Sequence, residues 1–265
     1  MRVPMKKIIQ ESMTKEMQDL GFQQIHRNES IWMRLLDDNK VVQLYRIRFI
    51  PLKCETQIDF IASPLIFSIN FENGIDIERY LDKKIGTPNS FSYNRHFQNT
   101  FYKMHDAQNL DEFNFFKARY ITTLTDAYTY NAKPHFLQAS NFDRCLIEYE
   151  KIANILYGKW RSYENRGINF NMYYVGNYFY KSIYYGNIDN YIDYASQYIS
   201  EFCKFYGYKP NDYDEDIKYY KERNVEYFMN KYKKVQEENA EEAARLLGMD
   251  KEAFPYVPPL KELKL

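Results

Sequence analysis

The sequence predicts an α+β protein, with an N-terminal helix packed on a small antiparallel sheet and an all-helical C-terminal half. Two observations carry this. Between Lys6 and Phe71 an amphipathic helix stops at a glycine and the apolar period shifts from about 3.6 residues to 2. Beyond Asn109 the helical spacing returns and persists. Three regions follow: an α+β module over 1–108, a helical region over 109–210, and a charged helix with an irregular tail over 211–265.

Ile9, Met13, Met17 and Leu20 fall on one face of the first helix. Gly21 supplies the left-handed residue that ends it, and Phe22 stands where the chain folds back onto the last apolar turn. Ser30–Leu36 and Val41–Ile50 are rich in aromatic and branched residues. Between them, Asp37-Asp38-Asn39-Lys40 is turn chemistry, because Asp and Asn tolerate positive φ. These two runs form a β-hairpin. Leu65, Phe67, Ile69 and Phe71 alternate with Ile66, Ser68 and Asn70, which predicts a third strand closed by Glu72-Asn73-Gly74.

Gly86-Thr87-Pro88-Asn89-Ser90 is a loop, and a further strand is expected around Thr100 to Met104. Asn109 with Glu112 is an N-cap pattern, and Phe113, Phe116, Tyr120, Leu124 and Ala127 keep helical spacing until Pro134 stops the run. A further helix starts near Asn141 and ends at Gly158. Helices over 170–185 and 188–206 end at Gly186 and Gly207, making a hairpin similar to one of the tetratricopeptide kind. No second copy at a period of about 34 accompanies it. Asp212 to Asp216 lacks the glycine and the glutamate of a calcium loop and reads as a helix N-terminus. The last helix carries Val225, Phe228, Tyr232 and Val235. Its stripe fades from Gln236 to Glu242, which are expected in solvent or against a partner, and Gly248, Pro255, Pro258 and Pro259 end it.

Leu20-Gly21-Phe22, the hairpin with Trp32 and Val41-Val42-Gln43, and Phe67-Ser68-Ile69-Asn70 together resemble the bacterial domain-of-unknown-function family 4304. The resemblance covers the first half of the chain. It implies a cytoplasmic bacterial α+β module and carries over no catalytic residue, since the matching positions are caps and core. An immunity or accessory role beside a toxin is an analogy from the habits of such modules.

Charge is balanced, with 36 Lys plus Arg against 36 Asp plus Glu, which argues against nonspecific binding to nucleic acid or an anionic membrane. Cys54, Cys145 and Cys203 form no C-x-x-C pair and fit reduced thiols in a cytoplasm. No apolar stretch follows Met1 to Lys7 in the manner of a secretory signal, so neither secretion nor membrane insertion is expected.

The residues offer little chemistry. His26, His96, His105 and His135 stand in no metal-ligand spacing. Nine glycines form neither a nucleotide-binding loop nor a nucleophile elbow, and no cofactor is expected. Glu55, Asp59 and Lys53 loosely match a metal-nuclease set, a spacing common by chance.

One surface has a physical reason: Trp32, Arg34, Arg46 and Arg48 make a basic, aromatic patch if the hairpin register brings them together. A turn centred on Asp38-Asn39 would instead pair Trp32 with Tyr45 and Ile31 with Arg46, splitting the set between two faces. Tyrosine is the compositional oddity, with 18 of 27 between Tyr157 and Tyr232. Such rings suit core and half-buried faces, and Tyr180, Tyr184 and Tyr185 lie off the packing stripe as an aromatic binding face. The expected function is a noncatalytic interaction module with a protein partner. The alternative is a nucleic-acid-associated factor or enzyme using sheet arginines and exposed tyrosines.

Overall fold

A computed structural model describes residues 3–26, 29–69, 71, 90–148, 179–189, 191–192, 219 and 222–263. The parts 149–158, 170–178 and 193–206 of the expected helices, Cys203, the loop at 86–89 and the acidic cluster at 212–216 lie outside these residues. The described chain has an N-terminal helix, a four-stranded antiparallel sheet and then mostly helices.

Helix α1 (Met5–Asp19) buries Met5, Ile8, Ile9, Met13 and Met17. Gly21 ends it at φ +80°, with the Phe22 amide donating to Met17 O at 2.9 Å and the Gly21 amide to Gln18 O at 2.9 Å. Phe22 is buried against that turn, the expected cap. Strands β1 (Gln23–Gln24), β2 (Ser30–Leu36), β3 (Val41–Ile50) and β4 (Glu55–Pro64) follow in sheet order.

The third long strand is therefore Glu55–Pro64, not the expected 65–71, where residues 65 and 66 form a turn. Its signal was hidden because Asp59, Phe60 and Ile61 are all buried, so the strand shows no alternation for a periodicity reading to find. The β2–β3 register is the centred one, pairing Ile31 with Arg46 and Trp32 with Tyr45. Asp37, Asp38 and Asn39 take the turn at φ +54°, +52° and +62°. The Asp37 carboxylate accepts the Phe142 amide at 2.8 Å, fixing the turn to the start of the next helical segment.

Residues expected as a strand near Thr100 belong to α2 (Ser90–His105), where Phe97, Phe101 and Met104 recur at helical spacing toward the core. Helix α3 (Leu110–Ala127) opens as expected: Asn109 Oδ1 accepts the Glu112 amide at 2.8 Å, and Glu112 reaches back to the Gln108 amide at 2.8 Å. Pro134 does not stop the chain. A π-turn (Tyr128–Ala132) leads into α4 (Lys133–Gln138). The wider turn shifts the carbonyls that a proline ring would otherwise strike in a regular helix.

The chain forms two compact units: Met1–Pro64, Asn70–Cys145 and Ala243–Asp250 in the first, and Leu65–Ile69, Leu146–Glu242 and Lys251–Leu265 in the second. These interleave the consecutive regions read from the sequence. In the first unit α1, α2, α3, the π-turn and α4 share one core with Trp32, Tyr45, Ile47 and Phe60 of the sheet. Here α3 and α4 belong with the sheet because Phe113, Tyr120, Leu124 and Phe136 point into that core.

In the second unit, helical residues 179–184 end at Gly186 (φ +68°), and Phe179 packs on Tyr191 and Phe228. Helix α5 (Val225–Leu247) begins with Asn224 accepting the Tyr227 amide, and the division between units falls inside it. Its stretch after Val235 does not project into solvent as expected. Gln236, Asn239 and Ala240 are buried, and Asn239 Nδ2 donates to Leu65 O at 2.7 Å and Phe67 O at 2.5 Å. A hydropathy reading scores those amides as surface, whereas here they satisfy carbonyls of an irregular segment. Lys233 and Lys234 pair with Glu237 and Glu238 on exposed positions.

Candidate functional site

The sheet register decides the fate of the residues singled out in the hairpin. Trp32 and Arg34 lie on the face that meets α1, whereas Arg46 and Arg48 lie on the other, so the four do not form one patch. Trp32 is fully buried, with its indole N–H unbonded among the described residues. Arg46 is buried and bound through Nε and Nη2 to the buried Asp59 carboxylate, with Nε to Oδ2 at 2.7 Å. The second carboxylate oxygen takes Gln57 Nε2 at 2.9 Å. Asp59 is thereby a structural counterion, which removes it from the nuclease-like set with Glu55 and Lys53. Arg48 remains exposed, on Gln57 Oε1 at 2.5 Å. Of the tyrosines offered as a binding face, Tyr180 and Tyr184 are buried and only Tyr185, at 40% exposure, reaches solvent.

Arg34 has a different setting. Its Nη1 donates to Leu20 O at 2.6 Å, at the carbonyl end of α1 where a cation complements the helix dipole. Its guanidinium stacks over Phe22 at 4.4 Å, and its Nε donates to Gln43 Oε1 at 2.9 Å. Buried Gln43 in turn donates to Phe136 O at 2.8 Å and Ala139 O at 3.1 Å, the last carbonyls of α4. One side-chain chain thus joins the C-terminal ends of α1 and α4 across the sheet.

Leu20, which accepts from Arg34, also lines a groove of about 400 Å³, together with Ser12, Lys15, Glu16 and Asp19 of α1 and with Tyr128, Thr129 and Lys133 of the π-turn and the start of α4. The polar edge of an amphipathic helix supplies one wall. A π-turn supplies the other, because its extra residue bulges from the helix, and such turns often mark functional positions. The Tyr128 ring is anchored in the core by an edge contact to Tyr45 at 5.3 Å. Its pKa is raised, first by burial and then by the Glu16 carboxylate, against the opposing pull of Arg34. Burial likewise lowers that of Arg34.

The rim carries both signs. Glu16 accepts a long contact from Thr125 Oγ1 at 3.4 Å, and neither Lys15 nor Lys133 is ion-paired among the described residues. The Ser12 hydroxyl donates to Ile9 O at 3.1 Å, and Tyr128 stays protonated in the neutral range, so these two wall hydroxyls serve as polar contacts. Sequence reading reached Arg34 and missed Lys15, Tyr128 and Lys133. The missed residues are separated by the whole sheet and two helices, and the only local signal was Pro134 inside a helical pattern.

Among the described residues no three His, Cys, Asp or Glu side chains are grouped for a metal ion, and Cys54 and Cys145 are in no disulfide. No described helix is long and apolar enough to cross a membrane. No family model matches the chain, and no curated protein or solved structure matches it.

Proposed function

We propose that this chain is a noncatalytic, cytoplasmic protein-interaction module, and that the groove between α1 and the π-turn is part of the surface that holds its protein partner. The observation that carries this reading is the rim: Lys15 and Lys133, neither ion-paired among the described residues, beside Glu16, Asp19 and the Tyr128 edge, around an open groove. Charges of both signs on one rim suit a protein surface of mixed charge, which can pair with each. A polyanion would gain two lysines and meet two carboxylates, so the same rim opposes nucleic acid.

Kinship with domain-of-unknown-function family 4304 belongs to this proposal. It rests on the residues Leu20-Gly21-Phe22, the Trp32 hairpin and Phe67-Ser68-Ile69-Asn70 alone. An immunity-like or accessory role remains its analogy. Of the sheet arginines and tyrosines behind the nucleic-acid alternative, Arg46, Tyr180 and Tyr184 are buried, while Arg48 and Tyr185 remain exposed.

The test is affinity capture from lysate of the source organism with the full chain and with Lys15→Glu/Lys133→Glu as baits. Both substitutions are at exposed positions, so folding should survive. A stoichiometric protein held by the first bait and lost from the second supports the reading. Equal capture by both baits, or salt-eluted nucleic acid alone, rejects it.

A further inference from the structure

We propose that the second unit carries a seat for an extended, proline-rich peptide segment of a partner protein, and that residues 255–260 of this chain occupy it in cis. The occupying sequence is Pro255-Tyr256-Val257-Pro258-Pro259-Leu260. Three prolines restrict φ and leave N–H groups only at Tyr256, Val257 and Leu260. Two of these three are bound. The Val257 amide donates to Gln236 Oε1 at 2.9 Å, and the Leu260 amide donates to Tyr184 O at 2.7 Å. Val257 O accepts Tyr232 Oη at 3.0 Å and Gln236 Nε2 at 3.3 Å. The Gln236 amide thus reads both main-chain groups of one residue, much as a neighbouring strand would.

The seat is built and the occupant is lightly held. Tyr232 and Gln236 are buried, whereas Tyr256 and Leu260 of the strap are 47% and 60% exposed. Beside an edge contact of Tyr256 on Tyr232 at 6.4 Å, attachment runs through main-chain hydrogen bonds, which any segment with the same proline spacing can make. Gly186 permits close passage of the strap's far end, since a Cβ there would lie 2.9 Å from Lys261 Cβ. Emptying the seat would strand the buried Gln236 amide and Tyr232 hydroxyl, so the strap is replaced by an equivalent segment rather than simply released. A preorganised proline-rich chain loses little entropy on docking, which suits such an exchange.

The probe is a fluorescent synthetic peptide spanning residues 253–263. The host is the full-length Val257→Pro/Leu260→Pro variant, which removes both bound N–H groups of the strap and leaves the seat intact. Binding to this variant at least tenfold tighter than to the unmodified chain is expected, because the cis strap no longer competes. Adding Gln236→Ala should abolish it. A folded variant that does not bind the peptide, or binds it equally with Gln236→Ala, overturns the proposal. So does a concentration-dependent dimer of the unmodified chain that the peptide dissolves, which would make the occupant the strap of a second copy. If the double variant fails to fold, amide exchange of the unmodified chain decides. Val257 and Leu260 exchanging by local opening well ahead of the α5 amides supports the seat, and exchange only on global unfolding overturns it.

Discussion

Replacing Asp59 with alanine should be among the most damaging single changes in the first unit, while replacing Asp59 and Arg46 together should be nearly silent. The two side chains are 1% and 10% exposed, and Arg46 places both Nε and Nη2 on one carboxylate oxygen. Their neighbours on that sheet face include Ile31, Leu44 and Ile61, all buried, so the guanidinium has little water to fall back on. Removing one member of such a pair costs about 3–5 kcal/mol, because a buried charge loses that counterion. At about 2–4 °C per kcal/mol for a chain of this size, Asp59→Ala should lower the melting temperature by roughly 6–20 °C. Arg46→Met should fall at the lower end of that range, since Gln57 still holds the other carboxylate oxygen. The Arg46→Met/Asp59→Leu chain fills the same volume with apolar groups and should lie within about 1 kcal/mol of the unmodified protein, or above it. Urea denaturation followed by circular dichroism and by fluorescence measures the full double-mutant cycle. A loss below about 1 kcal/mol for Asp59→Ala, or a double variant that loses the sum of the singles, would refute the reasoning.

Alkaline pH should destabilise the fold through its buried tyrosines. Burial raises the pKa of Tyr120, which shares a 2.6 Å hydrogen bond with Thr56, and that of Tyr232, so the folded chain keeps both hydroxyls protonated where the unfolded chain ionises near pH 10. Stability is complete below that pH and falls above it, by about 1.4 kcal/mol per pH unit for each tyrosine. Urea midpoints between pH 8 and 11 should show the decline, and a flat profile would contradict it. Asn239→Leu should cost about 1–3 kcal/mol by leaving Leu65 O and Phe67 O unbonded. An unchanged melting temperature would place that residue in solvent, where hydropathy alone puts it.

The legible parts of the fold were those governed by local rules. Gly21, Asn109, Asn141 and Gly186 mark termini because caps need particular side chains or positive φ within a few residues, and each acts as read. The hairpin was legible for the same reason. Where burial is two-sided, local rules carry no information: β4 shows no alternation, and the polar residues of α2 hid its apolar stripe. Gln236 and Asn239 were misread because their partners are main-chain carbonyls and amides distant in sequence. Pro134 was read as stopping the helix, whereas a π-turn carries the chain through it into α4. The groove wall at Tyr128 depends on that turn, so only the spatial arrangement joins Lys15, Tyr128 and Lys133 to Arg34.

Amide hydrogen exchange of the chain, free and in complex with its captured protein partner, tests the central claim most directly. Slowed exchange over residues 12–20 and 128–133 on complex formation is the predicted result. Protection confined to other segments, with both walls of the groove exchanging as in the free chain, would contradict it.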